Sequence, residues 1–244
     1  MVQRHTIVLW KYADKEKKDF SELSKYAYEI IGLLRKFPTG IQPNFLQANT
    51  KKEVKTFDWD YNNFYELLEK GINAENGNVF SELGYTISFF SSLNEEESSS
   101  IKLHVGDIKN KNTLIIDLPI SFNLFEKTNA IIVRNLFKDL VMKFEPFWGC
   151  VSNRVLSRKY GKYLDGNLPT TIHWINYWND TIINEIGNKK IMSILKKYPY
   201  ILFDNGILSI KDTALNVEDL EDMNYHEELQ KILVAYSGQT ACDF

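Results

Sequence analysis

Apolar positions along this chain recur at two periods, and the switches between them mark strands and helices. His5–Trp10 (HTIVLW) is a short apolar run with β-branched residues, which predicts a strand. From about Asp14 to Phe37 the spacing becomes three and four. Phe20, Leu23, Ala27, Ile30, Ile31 and Leu34 then share one helical face, and Pro38 and Gly40 stop the helix. Short extended pieces broken by polar turns follow to Asp60, then a helix over Tyr61–Lys70 with Phe64, Leu67 and Leu68 inward and Gly71 at its end. Three runs, Tyr85–Ser92, Ile101–Asp107 and Thr113–Pro119, are separated by polar tips and read as antiparallel strands. In IKLHVGD, Ile101, Leu103 and Val105 alternate with Lys102 and His104, so one face of this sheet is expected to be wet.

A second long helix is predicted from about Leu124 to Phe144, capped by Asn123, with Ile131, Ile132, Leu136, Leu140 and Val141 as its buried stripe. FWGCVSN reads as a strand and RVLSRKYGKYL as a short helix or turn. TIHWINYWNDTIINEIG (171–187) reads as a strand that becomes a helix. In a regular strand Ile172, Trp174, Asn176 and Trp178 would face one side and His173, Ile175 and Tyr177 the other. Both sides are largely apolar, as in a strand covered on two faces, so these aromatics are read as core; a ligand platform is the alternative. Asn179 or Asp180 caps the following turn and Gly187 ends it. Asn205-Gly206 between two apolar runs predicts a tight hairpin, and a last helix is expected from Asn216 to about Tyr236. The pattern as a whole predicts the α+β class. A mixed, largely antiparallel sheet or sheets would pack with two or three long helices in a single domain over 1–244, with two lobes meeting near 145–150.

Composition narrows the function. Hydrophobic residues make up 44% of the 244 and aromatics 14%, enough for a large core. Lys and Arg (29) nearly balance Asp and Glu (32), so the chain lacks the basic excess of a dedicated nucleic-acid binder. The two cysteines, Cys150 and Cys242, lie far apart and are expected to be reduced thiols. No apolar run approaches membrane-spanning length, and the first residues lack the apolar core of a signal peptide, so a cytoplasmic location is expected.

Catalytic chemistry is hard to assemble from these residues. His5, His104, His173 and His226 fall in separate elements with no metal-ligand spacing, and GxSxG, HExxH, GxxxxGK[ST] and GxGxxG are absent. Cys150 has no neighbouring base to activate it. Glu53-Val54-Lys55 and Glu16-Lys17-Lys18 fit the E-x-K half of a metal-dependent nuclease core, a spacing common by chance in a charged chain. No catalytic, cofactor-binding or metal-binding residue is therefore assigned. What stands out is acidic: Glu95, Glu96 and Glu97 on a predicted loop, and Glu218, Asp219, Glu221 and Asp222 opening the last helix. Carboxylates in a first helical turn meet the helix dipole favourably, so part of the second group has a structural cause. An exposed acidic patch also speeds encounter with a basic partner.

The order of FLQANTKKEVKTFDWD, ELGYTISFFSS, LIIDLP, FWGCVSN, IHWINYWNDTIINEIG and YILFDNGILSI resembles the immunity protein 52 family over about Phe45 to Ile210. Trp148-Gly149, His173-Trp174-Ile175-Asn176-Tyr177 and the Gly206 hairpin carry the likeness. The resemblance implies a non-enzymatic cytoplasmic protein, without cofactor, membrane or direct nucleic-acid contact. It would bind a cognate toxin, encoded nearby and often a nuclease, and block its active site or substrate channel. The family's landmark residues fall here on Trp148, Gly149, Trp174, Tyr177 and Gly206, where they would hold the fold and leave the toxin contact to the acidic residues. The competing expectations are a metal-dependent hydrolase or nuclease and a structural component of a phage-like secretion apparatus.

Overall fold

A computed structural model describes residues 3–47, 53–160, 163–198 and 201–234. Cys242, Tyr236 and Tyr200 lie outside the described residues, as do 48–52 of the extended pieces expected before Asp60. In chain order, β1 (His5–Lys11) leads to α1 (Phe20–Leu34), β2 (Phe45–Leu46) and α2 (Tyr61–Lys70). A small ribbon, β3 (Ala74–Glu75) and β4 (Asn78–Val79), precedes a meander of β5 (Leu83–Phe90), β6 (Ser100–Asp107) and β7 (Asn112–Asp117). Then come α3 (Lys127–Phe144), β8 (Trp148–Asn153), α4 (Arg154–Tyr160) and a second ribbon, β9 (Leu164–Asp165) and β10 (Leu168–Pro169). The last part holds β11 (Ile175–Trp178), α5 (Asp180–Ile186), α6 (Asn188–Lys197), the hairpin β12 (Leu202–Asp204) and β13 (Ile207–Ser209), and α7 (Leu220–Val234).

The fold is α+β. Among the described residues nine strands form one sheet in the order β12-β13-β11-β8-β1-β7-β6-β5-β2, with every neighbouring pair antiparallel. The first strand in sequence sits at the centre, and its alternation explains the layering. Ile7 and Leu9 face one way, opposite Ile116 and Leu114 on β7, and pack with Leu103 and Val105 beneath α1, α2 and α3. Val8 faces the other way, toward Trp148, Cys150, Trp178 and Leu208, beneath apolar residues of α4, α5, α6 and α7. The two cores thus lie on opposite sides of one continuous sheet and share β1, which is why its sequence is apolar at both parities.

On β5, β6 and β7 the face away from the helices carries Thr86, Ser88, Lys102, His104 and Thr113, all partly or fully exposed, in agreement with the alternation in IKLHVGD. The α1 stripe also matches: Leu23, Ala27, Ile30, Ile31 and Leu34 are buried, and Asp19 caps the helix by accepting from the Ser21 N–H at 2.8 Å.

Two helices depart from expectation. The buried stripe of α3 is Ala130, Val133, Leu136, Phe137, Leu140, Val141 and Phe144, whereas Ile131 is 51% exposed. The stripe follows the rotation set by Phe137 and Phe144, and Ile131 falls one residue off it. Asn123 does not cap the helix; its Oδ1 accepts from the Phe125 N–H at 3.0 Å, shaping the loop before the first turn. The last helix begins at Leu220 rather than Asn216, because Asp219 Oδ1 accepts from the N–H groups of Glu221 (2.8 Å) and Asp222 (3.2 Å).

The aromatic stretch 171–178 also breaks its predicted alternation. Only Ile175–Trp178 is strand. Asn176 folds back on the preceding bend, its Oδ1 accepting from the His173 N–H (2.9 Å) and its Nδ2 donating to the His173 carbonyl (2.8 Å). That bend sends Trp174 into the core beneath α1–α3 beside Ile175, while Ile172 and Trp178 belong to the opposite core.

The β12–β13 hairpin turns as its Asn-Gly pair predicts, with φ of 50° at Asn205 and 80° at Gly206. A Cβ at Gly206 would also approach the Trp178 carbonyl oxygen to 2.4 Å. Gly206→Ala is expected to lower unfolding stability by on the order of 2–3 kcal/mol in urea titration, from left-handed strain and this backbone clash.

Candidate functional site

The two acidic segments are linked through the segment 118–126 between β7 and α3. Glu95, Glu96 and Glu97 are exposed at the tip of the β5–β6 connection. The serines around them are structural. Ser91 and Ser99 pinch the base of the connection, both hydroxyls donating to the Gly40 carbonyl (2.8 and 2.7 Å), while Ser91 Oγ accepts from the Ser99 N–H at 2.7 Å. Asn94 Oδ1 accepts from the Glu96 N–H at 3.2 Å, and the Glu96 carbonyl in turn accepts from the Ser121 N–H at 2.9 Å. The tip is therefore tied to the segment 118–126 between β7 and α3.

The other end of that segment reaches the second acidic group. The Leu124 carbonyl accepts from the Ala214 N–H at 3.1 Å, just before α7. Phe122, Leu124 and Phe125 then line a pocket of about 300 Å³ together with Gln3, His5, Asn216 and Glu218. Two further concavities of about 530 Å³ each flank the start of α7, one beside Tyr198, Leu220 and Glu221, the other beside Lys211, Asp219 and Glu221. Around segment 118–126 and the start of α7, Glu126, Glu218, Asp219 and Glu221 are exposed beside Lys127 and Lys211, with Phe125 40% and Leu220 75% exposed, and the Glu95–Glu97 tip is tied to this surface through the Glu96–Ser121 bond.

The seven predicted acidic residues do not have equal standing on this face. Asp222 is buried; its Oδ1 pairs with Lys211 Nζ and its Oδ2 accepts from the Asn216 N–H at 2.8 Å. It ties the 211–216 segment to α7. Asp219 is exposed but occupied as the helix cap. Glu95, Glu96, Glu97, Glu218 and Glu221 are exposed.

The landmark residues lie in the scaffold. Trp148 and Trp174 are 0% and 2% exposed, and Trp174 Nε1 donates to the Lys211 carbonyl at 2.9 Å. Gly149 stands opposite Leu9 in the β1–β8 register, and a Cβ there would fall 2.3 Å from a Leu9 methyl. Tyr177 is half-buried; burial, then the nearby Asp180 charge, raises its hydroxyl pKa. Cys150 is fully buried and burial pushes its thiol far up, which removes nucleophilic character.

His173 lies just before β11. It is fully buried near the rings of Trp148 and Tyr163, and neither nitrogen has a hydrogen-bond partner among the described residues. Burial, and then the proximity of His226, lowers its pKa to about 3.

One further polar group escaped sequence reading. On the open sheet face Thr86 Oγ1 lies 2.9 Å from His104 Nδ1, and His104 Nε2 lies 3.2 Å from Asp107 Oδ2. Asp107 is buried, which acts to raise its pKa, yet the N–H groups of Asn110 and Lys109 hold the carboxyl below its usual range. Thr86 and His104 are direct cross-strand partners, so the trio follows from strand register and serves to pin the β6–β7 turn. Glu53 and Glu16, the two E-x-K acids, are both exposed and lie on separate segments. Among the described residues no three His, Cys, Asp or Glu side chains converge as a metal-ligand set. No described helix is long and apolar enough to cross a membrane. A scan against protein-family models finds none that matches this chain, and a search of curated proteins likewise returns no match.

Proposed function

We propose that this protein is an immunity protein that neutralises a cognate bacterial toxin by stoichiometric binding, with the acidic face around segment 118–126 as its contact surface. The observation that carries the reading is the joining of two acidic groups, far apart in sequence, by the Glu96–Ser121 and Leu124–Ala214 hydrogen bonds around exposed Phe125. An apolar aromatic centre inside a charged rim is the usual anatomy of a protein–protein contact. A nuclease grips its substrate through basic residues, so an acidic face complements the surface such a toxin must keep open. The likeness of the Trp148-Gly149 and His173–Tyr177 stretches to the immunity protein 52 family points the same way. A cytoplasmic location fits a toxin acting on nucleic acid inside the cell.

The direct experiment is co-expression with the toxin encoded beside the gene. Cells should survive; killing despite soluble protein would refute the proposal. For the surface itself, Glu95→Lys, Glu96→Lys and Glu97→Lys combined are expected to slow toxin association by about ten-fold or more at low salt and to flatten its salt dependence, with the unfolding midpoint unchanged. Stopped-flow association at two ionic strengths reads this, and an unaltered rate would remove the 92–98 tip from the contact.

A further inference from the structure

The nine-stranded sheet ends differently on its two sides. At β2 the chain covers its own edge: Thr56 bridges to Phe45, and the Leu46 N–H donates to the Lys55 carbonyl at 3.0 Å. Among the described residues β12 has no such cover, and Leu202 and Phe203 on it are 51% and 36% exposed. Open edges are usually blunted by lysine, proline or a bulge, and neither Leu202 nor Phe203 does that. The register fixes which main-chain groups are left over. The Trp178 N–H donates to the Gly206 carbonyl and the Ile210 N–H to the Trp174 carbonyl, so Gly206, Leu208 and Ile210 turn toward β11, and Ile207 and Ser209 toward β12. Ile207 and Ser209 stand opposite Asp204 and Leu202, so the N–H and C=O of Phe203 point away from the sheet. We propose that a second copy of this chain docks here, its β12 antiparallel to the first across a two-fold axis at Phe203, so that the two sheets join and the two Phe203 residues exchange N–H···O=C bonds.

A copy of the same strand meets each requirement of this edge. A two-fold contact must be self-complementary. With Phe203 on the axis, Leu202 of each copy stands opposite Asp204 of the other, on the side of α3. There Leu202, Asp204 and Ile207 line a groove of about 340 Å³ with Arg134, Asn135 and Lys138. Asp204 already pairs with Lys138 at 3.2 Å, and Arg134 donates to the Lys211 and Asp212 carbonyls, so the pairing buries no unpartnered charge. Two cations against one carboxylate repel a basic toxin surface and suit a chain whose own net charge is −3. Phe203 lies on the other side of the sheet, opposite Leu208, and meets its own copy across the axis as an aromatic cross-strand pair. The edge uses none of the acidic residues assigned to the toxin.

Sedimentation velocity of the isolated protein over about 1 to 200 µM brackets the weak association expected of a small interface. The mass should rise from 28.5 kDa toward twice that value across the range. Phe203→Pro removes an N–H that β13 does not use, and Leu202→Lys places a charge on the edge; each should weaken the dimer by about ten-fold or more. Hydrogen exchange followed by NMR reads the strand pairing itself. The Phe203 amide should gain protection as concentration rises, whereas the Leu202 and Asp204 amides, which face β13, should be protected throughout. A single mass at every concentration overturns the proposal. So does a dimer that both variants leave intact, or a Phe203 amide protected only when toxin is added, which would assign the edge to the partner protein. If Phe203→Pro fails to fold, Leu202→Lys and the Phe203 amide still decide. Survival in the co-expression assay does not depend on this edge, so the two proposals fail separately.

Discussion

Trp148→Ala is expected to lower the unfolding free energy by about 3–5 kcal/mol, the usual cost of emptying a large aromatic site in a packed core. Trp148 is fully buried and faces Trp10 and Trp178 in strand register, with its ring 5.1 Å from that of Trp10 and 6.0 Å from that of Tyr163. Its neighbours come from β1, β11 and the segment before β9, so no single element can close the cavity. Because a domain of ordinary stability holds only about 5–15 kcal/mol, the variant should unfold at much lower urea concentration and express poorly. Trp148→Phe should cost roughly half as much. The indole Nε1 has no hydrogen-bond partner among the described residues, so deleting it forfeits packing but no polar contact. Urea titration of the three proteins checks this. The folded fraction of each variant should retain its toxin affinity, since Trp148 lies in the core opposite α1–α3 and outside the acidic face. A loss below about 1 kcal/mol for Trp148→Ala would mean that the second core is not packed as described.

Acid should destabilise the protein well before its carboxylates titrate. Burial lowers the pKa of His173 to about 3 and that of His5 to about 4, and it also lowers that of His226. In the unfolded chain each histidine titrates near 6.5, its ordinary value. Below that pH the unfolded state takes up protons that the folded state refuses, so stability falls as pH drops from about 6.5 toward 4. Each depressed histidine contributes about 1.4 kcal/mol per pH unit, and His5 and His173 together remove roughly 5 kcal/mol between pH 7 and 4.5. His173→Phe fills the same space between Trp148 and Tyr163 without a titrating nitrogen. It should match the parent near pH 7 and exceed it at pH 5, with one histidine's share of the slope gone. Unfolding free energies measured by urea titration across that pH range decide the matter; an unchanged slope would show that His173 is protonated in the native protein.

The elements that read correctly are those whose pattern is local and repeated. The α1 stripe spans the helix with period-four apolar residues, and Asp19 supplies its cap within two residues of the bond it makes. The β12–β13 turn follows from Asn205-Gly206, because few residue pairs adopt positive φ at two successive positions. The misreadings have one cause in common, a particular side chain overriding the simple apolar period. Asn176 closes on the His173 backbone and flips Trp174 to the other core. In α3, the large aromatics Phe137 and Phe144 set the rotation and expose Ile131. The Asn76-Gly77 turn between β3 and β4 carries the same dipeptide signal as Asn205-Gly206 and has positive φ at both positions.

By itself, the amino-acid sequence determined the α+β class, the wet face of β5–β7, the tight hairpin and the acidity of the two segments, since each depends on residue types a few positions apart. Tertiary structure alone decided that the two acidic segments are linked through 118–126, that Asp222 and Asp219 are occupied by structural bonds, and that His5 lies against Phe125. Those relations span Gly40 to Ser99, Glu96 to Ser121 and Leu124 to Ala214. They arise from chain closure across the sheet, which no local periodicity encodes.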